Sequence, residues 1–561
     1  MSAQRDDDPS WAEAPLILDE PHTAIWDEIC DVAVVGVGMA GACAALEAAE
    51  GGADVIALDR FDGGGASAIS GGVYYGGGTA IQKEAGVEDD ADQLNAYLTA
   101  ELGNAVSSET IRRFSDENAK SFEWLRKHGV RFNSNLYTPK TAYPPEPYYL
   151  YYSGNERLAE YAAKAKPAAR GHRAYMDNPA GRPSGEALMR PLLDSLPHNR
   201  VRLIPHSPVV RLVQDRSGRV IGVEALALPE PAYGEHMEHY RQVLPIRSSI
   251  SKTGAAAAIR AARRLETSQG QRRLIRARRG VVLSAGGFIN NPAWMRAQGG
   301  TVDYSRVVFM GRLGCDGSGI ALGRSVGGAV GLMGNMFSAC KLAPPNAYAH
   351  GALVNPAGER FRTEEAYAST LGNDITRKFG GRAWIVLDLE LFLQAIWQLR
   401  PRGDGLFTNY YAPAVLNIIL GGTRVSWSLE GLARKCGMDA ATLKATIDTV
   451  NDTVATRAPD PFYKPPGLQA ALTTRPFFSI NVSVDNPWAF TSVFTLGGLK
   501  VDEKTGQVLR EDGSGIAGLY AAGRNAVGLP SESYVSGMSI SDCVFSGRRA
   551  GRSLSRQSDI D

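Results

Sequence analysis

The chain has 561 residues, of which 44% are hydrophobic and 21% charged, with a formal net charge of +1 at pH 7. So long a chain points to two domains rather than one core, and its balanced charge argues against nucleic acid or another polyanion as main partner. Six scattered cysteines without C-x-x-C spacing and eight histidines without H-x-x-x-H spacing give no disulfide framework and no metal site, which suits a reducing compartment.

Residues 1–27 form a polar N-terminal arm carrying Asp6, Asp7, Asp8, Glu13, Asp19 and Glu20, the reverse of a secretory leader. No apolar run reaches the roughly 18 residues that a membrane span needs, so the cytoplasm is the expected location. Residues 32–59 then read as strand, glycine turn, helix and second strand. In the turn, Gly36, Gly38 and Gly41 have the spacing that lets backbone approach a pyrophosphate and lets helix pack on strand, and Asp59 is placed to bond a ribose hydroxyl. The glycine-rich stretch 63–78, with Ser67 and Ser70, provides a second backbone cradle. This favours FAD over a nicotinamide cofactor.

Residues 137–152 hold six tyrosines and four prolines, a rigid loop offering flat apolar faces with polar tips, suited either to a hydrocarbon ligand or to a packed surface loop. Hairpin strands are expected from Arg200 to Ala227, turning at Ser217-Gly218. The basic stretch 252–279 carries Lys252 and eight arginines against Glu266. Its apolar face is mostly alanine, favouring a solvated surface insertion over a helix lying peripherally on the inner face of the membrane. Another apolar strand ends at Ala285-Gly286-Gly287.

Residues 301–484 have a different character. They show a glycine turn and helix after Gly314, a strand and turn at 351–358, and two helices in 428–455, the second with Asp439 as N-cap. This segment reads as a cap domain inserted into a discontinuous FAD-binding domain, 28–300 plus 485–561, with the active site at their interface. The chain then closes with a buried strand ending at Ala521-Ala522-Gly523 and a helix from about Gly537 to Leu554. Tyr534 and Ser536 stand just before that helix, where its N-terminus favours developing negative charge.

These segments together resemble the FAD flavoprotein family that includes fumarate reductases and 3-ketosteroid dehydrogenases. The resemblance spans about residues 28–554 and implies an α/β fold: a Rossmann-like FAD-binding domain with an inserted, α+β, fumarate-reductase-type catalytic cap. The FAD is held non-covalently. The contacts implied for it are Gly36, Gly38, Met39, Ala40, Gly41, Asp59, Arg60, Ala66, Ser67, Ser70, Gly71, Gly72, Val210, Ala285, Gly286, Gly523, Arg524, Gly537, Ser539 and Ile540. Arg524 stands where many relatives have glutamate, so the ribityl contact of that glutamate does not carry over.

Within the family the chain looks like a ketosteroid dehydrogenase. Leu332-Met333-Gly334-Asn335 occupies the place of a fumarate reductase His-Pro-Thr segment, and the R-F-x-x-E motif at Arg360 leads to Tyr367 rather than to a catalytic arginine. A small dicarboxylate would need those donors. The Tyr534-Val535-Ser536 sequence is similar to that of 3-ketosteroid 4-(5α)-dehydrogenases, whereas 1,2-desaturating relatives usually show a Tyr-Pro-Gly-Pro-Gly-like segment there. The resemblance thus implies Tyr367, Tyr534 and Ser536 as catalytic groups, a steroid substrate and an external electron acceptor such as a quinone. One tyrosine would take the proton from carbon 4 and the other would bond the 3-keto oxygen, while hydride leaves carbon 5 for the flavin. Proximity in sequence to Ser536 and the helix favours Tyr534 as the base.

Overall fold

The computed structural model describes residues 12–139, 141, 143–176, 184–245, 251–299, 302–340, 342–401 and 407–556. Its centre is a nine-stranded sheet built from β1 (Leu16–Leu18), β2 (Glu28–Val35), β3 (Val55–Leu58), β4 (Val201–Ile204), β5 (Val209–Asp215), β6 (Val220–Ala227), β7 (Gln271–Leu283), β8 (Gln507–Leu509) and β9 (Gly515–Ala521). The order β7-β2-β3-β4 is parallel, and its strands are apolar runs such as Val32–Val35, buried on both faces, as a sheet covered by helices requires.

Strand β7 changes partner midway. Its first half pairs antiparallel with β6, and Val281–Leu283 pairs parallel with Leu519–Ala521 of β9. The register breaks between Ala277 and Gly280, where a Cβ on Gly280 would lie 2.6 Å from the Gly518 carbonyl oxygen. A bulge with a bare residue is how the strand accommodates that approach. In this way the C-terminal strand joins the N-terminal unit, and the carboxyl ends of β2, β7 and β9 share one edge.

Helices α1 (Met39–Glu50) and α2 (Met538–Ser555) pack against each other through small residues. A Cβ on Gly547 would sit 2.3 Å from the Ala40 carbonyl oxygen, and one on Gly551 2.4 Å from that of Ala44. Glu47 fastens the pair from the side, accepting from Arg548 at 2.7 Å and Arg552 at 2.9 Å.

The polar arm expected at the N-terminus lies outside the described residues up to position 11. Beyond it, Leu16–Leu18 extends the sheet edge by pairing with Val213–Asp215, because alternating apolar side chains there can cover β5. The hairpin expected over 200–227 is β5–β6 alone; β4 instead pairs with β3. The basic stretch splits into a helix, Lys252–Gln269, and the first half of β7. That helix buries Ala258, Ala262, Leu265 and Glu266.

Residues 352–481 supply a separate antiparallel sheet, ordered Ala352–Val354, Trp384–Leu387, Phe477–Asn481, Arg424–Ser426. Helices Leu429–Cys436 and Ala440–Thr456 stand where their periodicity placed them, and the Asp439 carboxylate accepts the Thr442 N–H at 2.8 Å. We propose that 301–484 is the catalytic cap. The tyrosine-rich stretch contributes strands Leu136–Tyr137 and Leu150–Tyr151 to a sheet with Gly171–Arg173 and Val73–Tyr75.

The contact between α1 and α2 yields a stability prediction. Gly547→Val overpacks a site that has no room, so it is expected to cost about 1–3 kcal/mol. Gly234→Ala, on a helix where an added Cβ meets nothing within 4 Å, should leave thermal unfolding unchanged. Equal melting of both variants would show that the contact can relax.

Candidate active site

A cleft opens at the shared edge of β2, β7 and β9, the place where open α/β sheets take ligands. Of the residues expected to hold FAD, Gly36, Gly38, Met39, Ala40, Asp59, Arg60, Ala66, Ser67, Ala285, Gly286 and Arg524 line it. Gly36 has φ +90 and lies against Ala285, whose Cα would be 2.7 Å from an added Cβ. Met39, the first residue of α1, donates its N–H to Ser67 Oγ at 3.2 Å, linking the glycine turn to the second loop.

Other expected contacts lie beside the cleft. Gly41 packs beneath the turn, where a Cβ would meet the Gly36 oxygen at 1.9 Å. Ser70, Gly71 and Gly72 run on beyond it: Ser70 Oγ accepts the Gly72 N–H at 3.1 Å, and the Tyr143 hydroxyl donates to the Gly71 carbonyl. Val210 is fully buried against Leu226, and its carbonyl accepts the Glu13 N–H; the lining there is Ser207, Pro208 and Val209. Gly523 sits behind Ala40 and Cys543. Gly537, Ser539 and Ile540 belong to the start of α2.

Asp59 and Arg60 line the cleft and also hold its wall together. The Asp59 carboxylate accepts N–H groups of Val37 at 2.7 Å and Phe61 at 2.8 Å, so it first fixes the glycine turn. Burial pushes its acid up, and those N–H groups oppose the shift. Arg60 forks onto Glu266 at 2.6 and 2.9 Å and reaches Asp316 at 2.8 Å. The basic helix thus delivers its one carboxylate to the cleft wall. The same wall holds Tyr240 and Arg312, with the guanidinium 3.7 Å from the ring centre. Neither stands in a glycine motif, so nothing local in the sequence marked them.

The residues present fit FAD. Two bare turns leave room for its backbone contacts, the N-terminus of α1 faces the cleft, and Arg524 has a buried Nη1 without a hydrogen-bond partner in this structure. A group carrying pyrophosphate and a polar ring would use these features.

Tyr534, Ser536 and Tyr367 come together at the N-terminus of α2. Gly537 precedes that helix with φ +96, which turns Tyr534 back over the helix end. There its phenol oxygen lies near the Gly537 and Ser539 N–H groups. Its ring stands edge-on to Phe337 at 4.8 Å and Phe494 at 5.2 Å. Burial pushes the Tyr534 phenol up to about 12, with the two N–H groups and Arg524 pulling it down. Tyr367 is held far above the usual phenol range by burial and by neighbouring phenols.

Ser536 turns away from Tyr534. Its hydroxyl lies 3.5 Å from that of Tyr151 and near the Tyr367 phenol, whose charged form it favours. Tyr151 comes from the tyrosine-proline run, whose composition hinted at a ligand surface without singling out this residue. The next residues brace the site: Ser153 donates to the Ser536 carbonyl at 3.0 Å, and Asn155 Oδ1 accepts the Tyr367 N–H at 2.7 Å. Asn155 Nδ2 in turn donates to Thr370 at 2.8 Å and to both oxygens of Glu101 at 3.0 and 3.1 Å.

Burial pushes Glu101 from the ordinary 4.5 up to about 8, against donation from Asn155 and Tyr97. The folded chain therefore keeps a proton there that the unfolded chain releases, and the stability it contributes below pH 4.5 is lost as pH rises to about 8. Glu101→Gln is expected to flatten that part of the stability–pH curve in denaturant titrations; an unchanged slope would mean that Glu101 is ionised in the fold.

Comparison with known proteins agrees with this geometry. Residues 31–537 match the family model described as FAD binding domain. The 3-oxo-5-alpha-steroid 4-dehydrogenase of Comamonas testosteroni is 35% identical over 512 residues, covering 89% of this chain and 93% of that protein. The structure of 3-ketosteroid-delta4-(5alpha)-dehydrogenase from Rhodococcus jostii RHA1, in complex with 4-androstene-3,17-dione, superposes with TM-score 0.79 at 28% identity, covering 97% of this chain and all of that one. A flavocytochrome c3 fumarate reductase shares the fold, with TM-score 0.57 at 21% identity over 95% of this chain and 79% of that one. The chain belongs to the FAD-binding-domain family and, within its fumarate-reductase-type flavoproteins, to the 3-ketosteroid dehydrogenases.

Proposed function

We propose that the chain desaturates a saturated 5α-3-ketosteroid to the 4-ene-3-one, with FAD as immediate hydride acceptor and an external acceptor such as a quinone reoxidising it. One observation carries the reading. Two phenols and a serine hydroxyl meet at the start of α2, and Arg524 and Cys543, neighbours of Tyr534, also line the flavin cleft. When bound, the flavin accepts the hydride from carbon 5.

The chain's own task is to polarise the 3-keto group and remove the carbon 4 proton. The backbone N–H groups of Gly537 and Ser539 lie near the Tyr534 oxygen and favour negative charge at that end of the helix. This arrangement suits holding negative charge as it develops on the keto oxygen. Tyr367 has a different setting, because its phenol reaches Ser536 and, through it, Tyr151. A phenol in such a chain can take the proton from carbon 4 while its own hydrogen moves to Ser536 and the serine's hydrogen moves to Tyr151, whose phenol hydrogen leaves in turn to a solvent base. That avoids a free phenolate, which burial disfavours. The structure therefore supports the opposite division of labour from the one favoured by sequence proximity: Tyr534 at the carbonyl, and Tyr367 with Ser536 at the proton.

The absence of arginine at the position of Tyr367 supports a neutral ketone over a dicarboxylate. Arg360 and Arg362 are occupied elsewhere, the first by Glu364 and Asp460 and the second by Asp374 and Glu160.

The test is turnover of a 5α-3-ketosteroid with an artificial electron acceptor, the product being identified by its ultraviolet spectrum. Tyr534→Phe, Tyr367→Phe and Ser536→Ala are each expected to lower kcat by about a hundredfold or more with flavin content unchanged. Wild-type rates in all three would remove the cluster from the chemistry, and a 1-ene product would reassign the reaction.

A further inference from the structure

Behind the cofactor cleft, two histidines meet face to face. His206, between β4 and β5, and His236, on helix Tyr233–Gln242, point their Nδ1 atoms at each other across 2.8 Å. The far nitrogen of each ring reaches a carboxylate. His206 Nε2 lies 2.9 Å from Asp62, and His236 Nε2 lies 2.8 Å from Glu266. Glu266 in turn accepts from Arg60, which with Asp316 stands in the cleft wall.

The hydrogens of this chain can be counted. An ionised carboxylate only accepts, and both carboxyls are held below their ordinary range. The His206 contact does this for Asp62. Burial pushes Glu266 up, but Arg60 and His236 outweigh it. Each Nε2 therefore carries hydrogen. Two bare Nδ1 lone pairs at 2.8 Å would repel, so one further hydrogen lies between them. The two rings thus share three hydrogens, one more than two neutral imidazoles hold. Burial pushes His236 down, with Glu266 opposing, which leaves His206 as the ring with hydrogen on both nitrogens.

The surroundings shield the pair on every side but one. Tyr233 stacks on His206 at 3.8 Å, Phe61 stacks on His236 at 4.5 Å, and Tyr240 backs Phe61 at 4.2 Å. Both imidazoles are buried, whereas the Asp62 side chain is 58% exposed, with Arg241 as its other charged neighbour. His206 also holds φ +49, a left-handed conformation that a residue other than glycine adopts against local strain.

Asp62 opens the second glycine loop. Gly63, Gly64 and Gly65 follow it with φ +87, +81 and +51, and Gly65, Ala66 and Ser67 line the cleft. A backbone so bare has little of its own to fix it, so its position rests on bonds such as Gly64 N–H to the Val37 carbonyl at 2.8 Å and Asp62 to His206. We propose that His206 is a positioning residue for FAD: with hydrogen on both nitrogens it latches Asp62 and holds the loop 63–67 against the cleft. When His206 gives up a proton to solvent, one N–H remains for two acceptors. The shielded contact with His236 keeps it, and Asp62 is released to water. FAD is therefore held most tightly while His206 is doubly protonated, and the hold weakens as pH rises through its deprotonation. The inference concerns the cofactor alone, so it stands or falls whatever the substrate proves to be.

The experiment is release of FAD from the loaded, full-length protein on dilution, read as recovery of flavin fluorescence from about pH 6 to 9. The wild-type release rate is expected to rise about fivefold across that range. Asp62→Asn should release FAD at the faster rate throughout, so that the two curves meet at high pH. Imidazole NMR of the loaded protein labelled with ¹⁵N-histidine, at about pH 6, should show two N–H signals on one ring of the pair and one on the other. His206→Asn, which tolerates the left-handed backbone, identifies those signals by removing them and should match Asp62→Asn in release. One N–H on each ring at that pH would overturn the proposal. So would a flat wild-type release rate, or an Asp62→Asn variant that keeps the wild-type pH dependence.

Discussion

Helix α2 can begin where it does only because Gly537 carries no side chain. An added Cβ would lie 2.9 Å from Val73 and 3.0 Å from the Tyr75 nitrogen, in a backbone conformation with φ +96. That turn does two jobs at once. It brings the Tyr534 oxygen near the first N–H groups of the helix, and it leaves Ser536 facing Tyr151 and Tyr367. Since α2 is also locked to α1 through Gly547 and Gly551, the phenols are fixed relative to the glycine turn at the other end of α1. The cofactor cleft and the hydroxyl cluster are therefore parts of one rigid constellation, as transition-state stabilisation by preorganised donors requires.

The electrostatics follow from burial. Each phenol of the cluster is harder to ionise than in water, and Tyr534, whose oxygen lies near backbone N–H groups, is raised least, to about 12. A site built from neutral hydroxyls suits an uncharged, rigid ketone. The ion pairs lie outside the cluster, at Arg60 with Glu266 and Asp316 and at Arg360 with Glu364 and Asp460, where they hold domain elements together.

Local patterns carried much of this. The glycine turn, α1, the two cap helices and the start of α2 were legible because each depends on residues within a few positions of one another. What stayed hidden depends on contacts distant in the chain. Asp59 was legible as a cleft residue, which it is, but its hold on the Val37 and Phe61 N–H groups was not. Glu266 looked like a lone acid in a basic helix, and only the fold brings it to Arg60. Ser536, two residues from Tyr534, seemed its natural partner; the left-handed turn at Gly537 directs it to residues 151 and 367 instead. Tyr151 was inside a stretch whose composition suited either a hydrocarbon ligand or a packed surface loop, while its role depends on the strand pairing of Leu150–Tyr151 with Gly171–Arg173.

The most direct measurement is a crystal structure of the FAD-loaded protein with a bound 4-ene-3-ketosteroid. The keto oxygen is expected within about 3 Å of the Tyr534 hydroxyl, with carbon 4 facing Tyr367 and carbon 5 over the flavin ring. A steroid bound with its ketone away from α2, or with Tyr534 and Tyr367 on the opposite side of the protein from the flavin ring, would contradict the whole account of the site.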